Sequence, residues 1–195
     1  MADDTKPAKK KRERKPRKMT ETRLRNIAVY YCQRYLVSEE KLRNYLETRL
    51  YREIPDAEER AAMAEHVPDI ARRMAEAGLV NDQEAASSRL RAALRSGYAP
   101  RAAVNNATRS AQVDRETVEA QLATALTEAL PELEAEEDDP AAMAALALKR
   151  ARRGPWRSGD PDEKLKQRDA NWLLRRGFRF DDVRKAMNID PEEFA

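Results

Sequence analysis

Apolar positions in this chain recur at intervals of three and four, and nowhere alternate over the length of a strand. Leu24, Ile27, Ala28, Tyr31 and Tyr35 form the first stripe, across residues 22–36. Ser38 reads as an N-cap, with Glu39 and Glu40 in a first turn where the helix dipole favours acids; Leu42, Tyr45, Leu46 and Leu50 continue that second helix. Met63, Val67, Ile70 and Met74 mark a third, stopping at Gly78. Asn81 with Glu84 resembles a capping box and opens a fourth through Ala86, Leu90, Ala93 and Leu94. Pro100 at a first helical position starts a fifth through Val104 and Ala107, and Asp114 caps a sixth carrying Val118, Leu122, Ala125 and Leu126. Asp139-Pro140 opens a seventh through Met143, Leu146 and Ala147, stopped by Gly154-Pro155. Asp160-Pro161-Asp162-Glu163 restarts the chain into an eighth with Leu165, Trp172 and Leu173, ending at Gly177; Phe180, Val183 and Met187 form a short ninth.

One junction is repeated. Leu94-Arg95-Ser96-Gly97-Tyr98-Ala99-Pro100-Arg101 is echoed by Leu174-Arg175-Arg176-Gly177-Phe178 with Val183, each reading as helix end, glycine, aromatic and new helix. A related aromatic-to-helix junction stands at Tyr35–Ser38. Repetition of this kind points to small helical modules that bury little alone and gain their core by stacking. The expected fold is therefore all-α, an elongated array of three tandem three-helix repeats behind a disordered basic N-terminal tail. The divisions are residues 1–19 for the tail, 20–78 and 79–130 for the first two repeats, 131–139 for an acidic linker, and 140–190 for the third repeat.

Charge sharpens that division. The chain of 195 residues has a net charge of +3, but residues 1–18 hold nine Lys or Arg against three acids, so the rest is slightly acidic. An arm whose apolar residues are only Met1, Ala2 and Ala8 cannot offset the entropy of ordering, yet it attracts phosphate by counterion release. Its phosphate-contact candidates are Lys9, Lys10, Lys11, Arg12, Arg14, Lys15, Arg17 and Lys18. No apolar run approaches 18 residues, which excludes a helical membrane span, and the basic tract lacks the apolar core of a secretory signal. Lone Cys32 forms no internal disulfide and fits a reducing compartment. One histidine, His66, and one cysteine make no zinc site of ordinary spacing and no nucleophilic triad, and there is no glycine-rich phosphate loop. The expectation is a protein that is not an enzyme and needs no cofactor or metal. Tyr30, Tyr31 and Tyr35 read as module core rather than a base-stacking platform, and Cys32 as a core filler.

Gly78-Leu79-Val80-Asn81-Asp82-Gln83-Glu84, followed by Arg95-Ser96-Gly97-Tyr98-Ala99-Pro100-Arg101, resembles the middle repeat of RecX regulatory proteins. Ser38-Glu39-Glu40-Lys41-Leu42 is similar to the start of the family's first repeat, and Leu174-Arg175-Arg176-Gly177-Phe178 with Val183 to the signature of its third. The resemblance runs over residues 20–190 and leaves the basic tail outside; Tyr98 and the long acidic insert before Pro140 depart from the pattern. It implies a bacterial, cytoplasmic modulator of the recombinase RecA, acting in DNA repair, recombination and the SOS response. Such a protein binds the filament of RecA on single-stranded DNA and inhibits its recombinase and ATPase activities. The partners expected are thus the RecA filament and the single-stranded DNA within it, with free DNA as a further target of the tail; a monomer is expected.

The residues themselves nominate contacts. Lys149, Arg150, Arg152, Arg153 and Arg157, with Trp156 among them, form the densest basic patch outside the tail. On a continuous helix Lys149, Arg152 and Arg153 share a face that would meet phosphates or an acidic surface together, and Trp156 could stack on a base. The competing reading folds Trp156 onto its own module and sets the cations against Glu134–Asp139. Arg89, Arg91 and Arg95 on the fourth helix, and Arg175 and Arg176 on the eighth, are further candidates. Two other classes remain open: a helix–turn–helix or nucleoid-associated protein that binds DNA without RecA, which should present a clear basic face, and a helical adaptor for an unrelated protein.

Overall fold

A computed structural model describes residues 18–133, 139–159, 162–192 and 194. Helices α1 (Glu21–Arg34), α2 (Glu39–Glu53), α3 (Ala57–Ala64) and α4 (Val67–Glu76) come first; α5 (Asp82–Arg95), α6 (Pro100–Ala111), α7 (Arg115–Ala120) and α8 (Leu122–Ala129) follow. Helix α9 (Pro140–Ala151), a 3₁₀ turn (Gly154–Trp156), α10 (Glu163–Leu174) and α11 (Phe180–Met187) complete the chain, and the described residues contain no strand. The fold is all-α. The tail cations Lys9, Lys10, Lys11, Arg12, Arg14, Lys15 and Arg17 lie outside the described residues, while Lys18 is exposed.

Side-chain caps place most of the helix starts. Thr20, Ser38, Asn81, Asp114 and Asp139 each accept a hydrogen bond from a backbone N–H of the following turn. Two expected helices are each divided. The third becomes α3 and α4, broken at Glu65–His66, because Pro68 has no N–H and its ring excludes the carbonyl four residues back; Asp56 caps α3 through the Glu59 N–H. The sixth becomes α7 and α8 at Gln121, whose N–H turns to the Val118 carbonyl three residues back. The eighth starts later than the sequence implies: Asp162, not Asp160, caps it, accepting from the Leu165 N–H at 2.8 Å.

Apolar side chains collect into two cores. One lies within residues 19–80, around Leu24, Leu42, Leu46, Leu50 and Ile70. The other runs without interruption from Ala86 to Ala186, so that Leu90 and Leu94 of α5, Leu148 of α9 and Leu173 of α10 belong to one cluster. Alanine fills much of it: Ala103, Ala107, Ala144 and Ala145 are buried, and such small side chains let helices approach closely.

Within this second core the two echoed glycine junctions meet. The Ala99 N–H donates to the Arg176 carbonyl at 3.0 Å, and Arg176 Nε donates to the Ser96 carbonyl at 3.1 Å. A Cβ on Gly97 would stand 3.0 Å from that of Ala147, and one on Gly177 only 2.7 Å from that of Ala102. Glycine is needed at both for close approach as well as for the positive φ of the turn.

The seam between the two cores is polar. Ser38 is wholly buried, and its hydroxyl donates to the Ala111 carbonyl at the end of α6 while accepting from the Lys41 N–H. Lys41 Nζ donates to the Ser110 carbonyl, and Asp82 accepts from the Glu39 N–H at 2.8 Å. The start of α2 thus satisfies carbonyls that α6 leaves open at its C-terminus. Ser38→Ala removes a cap and the seam bond together and should cost about 2 kcal/mol, read as a lower urea midpoint with an unchanged slope.

Candidate functional site

Helix α9 stops before its basic cluster is complete, which changes what the cluster can do. Arg152 takes the left-handed conformation (φ 51°) as C-cap, and Arg153 is extended, so Lys149, Arg152 and Arg153 do not share a helical face. The stop falls at Ala151, ahead of Gly154-Pro155, which instead opens the 3₁₀ turn.

That turn is organised around Asp169, a residue the sequence reading did not single out. Its side chain is 1% exposed and receives Arg153 Nη1 at 2.8 Å, Arg157 Nη2 at 2.8 and 2.9 Å, Arg157 Nε at 3.1 Å and the Gly154 N–H at 2.9 Å. Burial would raise the carboxyl's pKa, but the bonds from Gly154, Arg157 and Arg153 outweigh it and hold the group below its ordinary value. Two nominated contact residues, Arg153 and Arg157, are therefore paired with Asp169 inside the fold.

Most of the remaining nominations are also engaged inside the fold. Arg150 pairs with Glu132 at 2.6 Å and donates to the Ala129 carbonyl, which holds the Glu132 carboxyl below its usual range. Lys149 donates to the Phe194 carbonyl at 3.3 Å and lies over its ring, while Trp156 packs edge-on to the same ring at 5.5 Å. Trp156 thus folds onto its own module. Arg176 lies 3.7 Å from the centre of the Trp172 ring. Arg91 bridges Glu84 and Glu128, and Arg95 donates to the Glu128 carbonyl at 3.4 Å. Only Arg89, Arg152 and Arg175 of the nominated folded-region residues are exposed and unpaired among the described residues.

A cationic stripe on α10 went unnoticed in the sequence. Lys164, Arg168 and Arg175, with Asn171 between the last two, follow helical spacing, and all three cations are exposed. They border a shallow depression of about 500 Å³ completed by Glu163 and Gln167. The i, i+4, i+7, i+11 spacing of these residues carries the signal in the sequence, at lower density than the run at 149–157. Phe180 and Leu174 are exposed on the other side of α10, beside a groove floored by Ala170, Val183 and Met187.

The tyrosines also depart from expectation. Tyr31 is half-buried and stacks on Tyr45 with ring centres 3.8 Å apart, but Tyr30 and Tyr35 are 62% and 52% exposed. The first stripe turns away from the core as α1 nears its end. Cys32 is half-buried, and burial pushes its thiol up to about 11, which suits a filler and not a nucleophile at neutral pH. No cluster of three His, Cys, Asp or Glu that could hold a metal occurs among the described residues, and no helix among them is long and apolar enough to cross a membrane.

Residues 136–187 match the family model for the third three-helix domain of RecX. A crystal structure of RecX from Lactobacillus salivarius superposes with a TM-score of 0.51 at 16% identity, over 89% of this chain and 96% of that one, a likeness of fold. The regulatory protein RecX of Myxococcus xanthus is 30% identical over 188 residues, which span 93% of this chain and 95% of its relative. Identity at that level along nearly the full length of both proteins places the chain in the RecX family of regulatory proteins.

Proposed function

We propose that the protein is a non-enzymatic, cytoplasmic modulator of RecA that binds the recombinase filament on single-stranded DNA and restrains its ATP hydrolysis and strand exchange. The observation that carries this reading is the near full-length relationship to a regulatory protein RecX. The surface supports it: the cations left free are spread over separate elements, as many weak contacts along an extended partner would require. In this reading residues 20–78, 79–130 and 140–190 act as three contact modules. Arg89, Arg152 and Arg175, joined by Lys164 and Arg168, meet the filament, while Arg91, Arg150, Arg153, Arg157 and Arg176 hold the fold.

The test is single-strand-dependent ATP hydrolysis by RecA with rising amounts of the protein. Inhibition at substoichiometric amounts is expected, and reversal of charge at Lys164, Arg168 and Arg175 together should raise the concentration for half-inhibition about tenfold with an unchanged circular dichroism spectrum. Absence of inhibition, with tight salt-sensitive binding to duplex instead, would favour a DNA-binding protein that acts without RecA.

A further inference from the structure

The cleft between α2, the end of α1 and the end of α6 has a composition that the α10 stripe lacks. It encloses about 330 Å³ and is lined by Tyr31, Tyr45, Lys41, Arg49, Arg52 and Gln112 among others, with no carboxylate in its lining. Arg49 is ion-paired with Glu53, but Arg52 is exposed and unpaired among the described residues. Arg89 of α5 is likewise exposed and unpaired, and its charge is felt at both Lys41 and Tyr31. Tyr35, half exposed, adjoins the Tyr31–Tyr45 stack with its ring centre 5.1 Å from that of Tyr31.

We propose that this cleft is a binding site for single-stranded nucleic acid, with phosphates at Arg52, Arg89 and the N–H donors of Lys41 that its bond to the Ser110 carbonyl leaves over, and an unpaired base stacked on Tyr35. Three features select this ligand. Lys41 and Arg52 lie three helical turns apart on one face of α2, about 16 Å along its axis, which a strand can span and a single phosphate cannot. No carboxylate lines the cleft and Arg49 alone of its cations is ion-paired, to Glu53, so positive charge is in excess there and draws a polyanion. The exposed Tyr35 ring offers a stacking face that unpaired bases can use and bases stacked in a duplex cannot.

The proposal deepens the filament reading, since a filament modulator meets single strands, but its test needs no recombinase. The full chain is titrated into a labelled oligodeoxythymidylate, an abasic strand of equal length and a matched duplex, with anisotropy as the readout at several salt concentrations. The basic tail reads phosphate alone, so the preference for thymidylate over the abasic strand reports stacking. Tyr35→Ala should lower thymidylate affinity about tenfold and abolish that preference, whereas Tyr35→Phe should keep both. Arg52→Gln with Arg89→Gln should reduce the salt slope by about 0.7 per cation removed. A bromodeoxyuridine strand should crosslink within residues 30–45. An unchanged preference in Tyr35→Ala, or an unchanged slope in the double variant, overturns the site; so does equal loss of duplex binding. Variants that lose RecA inhibition but keep partner-free DNA binding would make the cleft a protein contact, and loss of strand binding with inhibition intact would separate this site from the filament reading.

Discussion

Asp169→Ala should lower the unfolding free energy by about 3 kcal/mol, because it removes a buried carboxylate that pairs two arginines whose side chains are 27% exposed and partly rehydrate. Arg153 and Arg157 would be left facing each other across an empty acceptor site, and the Gly154 N–H would lose its partner. Single domains are stable by only about 5–15 kcal/mol, so the variant should show a much reduced urea midpoint. Asp169→Asn keeps the shape and one acceptor oxygen and should lose less.

Acid should act on the same group. Its folded-state pKa lies below the unfolded value near 3.9, so the stabilisation is fully present above about pH 4–5 and is lost as pH falls through the folded pKa. Urea titrations of wild type and Asp169→Asn between pH 3 and 7 should therefore differ by a constant amount at the upper end and converge toward the lower end. A gap that widened on acidification would contradict the assignment of the stabilisation to an ionised Asp169.

Gly177→Ala should cost about 2–4 kcal/mol, the sum of left-handed backbone strain of about 1 kcal/mol and an overlap with Ala102 that the packed core absorbs poorly. The added methyl group would stand 2.7 Å from the Ala102 Cβ, at φ +89°. Gly78→Ala is the matched control. Its φ of +70° carries the same backbone strain, but nothing lies within 4 Å of the new Cβ, so about 1 kcal/mol is expected. Equal losses in the two variants, measured by thermal or urea unfolding, would show that conformation alone and not close packing requires Gly177.

The difference between these residues also marks what a sequence can reveal. Helix caps are local: Ser38, Asn81, Asp114 and Asp139 are readable because their partners lie two or three positions on. Gly97 and Gly177 were legible as turns, though not as mutual neighbours, since 80 residues separate them. The break at His66 was hidden by two opposed signals, the continuous stripe Met63–Val67–Ile70–Met74 and Pro68 within it; the proline prevailed because a missing donor and a ring clash outweigh an apolar face. Asp169 carried no mark at all. It sits among polar residues of α10, and its partners come from a loop 12–16 residues upstream. The run at 149–157 announced positive charge but not the acceptors that neutralise it, so most of an apparent ligand surface became internal bracing. Tyr35 shows the converse, since periodicity put it on the apolar stripe although α1 has ended by that position and the ring points to solvent.

The polar seam has a mechanical consequence. Hydrogen bonds between the start of α2 and the end of α6 exchange for water at a net cost of about 0.5–1.5 kcal/mol each. Opening the continuous core from Ala86 to Ala186 would instead expose many apolar side chains at once. Separating the cluster of residues 19–80 from the continuous core is therefore expected to cost less than opening that core, so amide exchange should be faster at the start of α2 and the end of α6 than in α5 or α9.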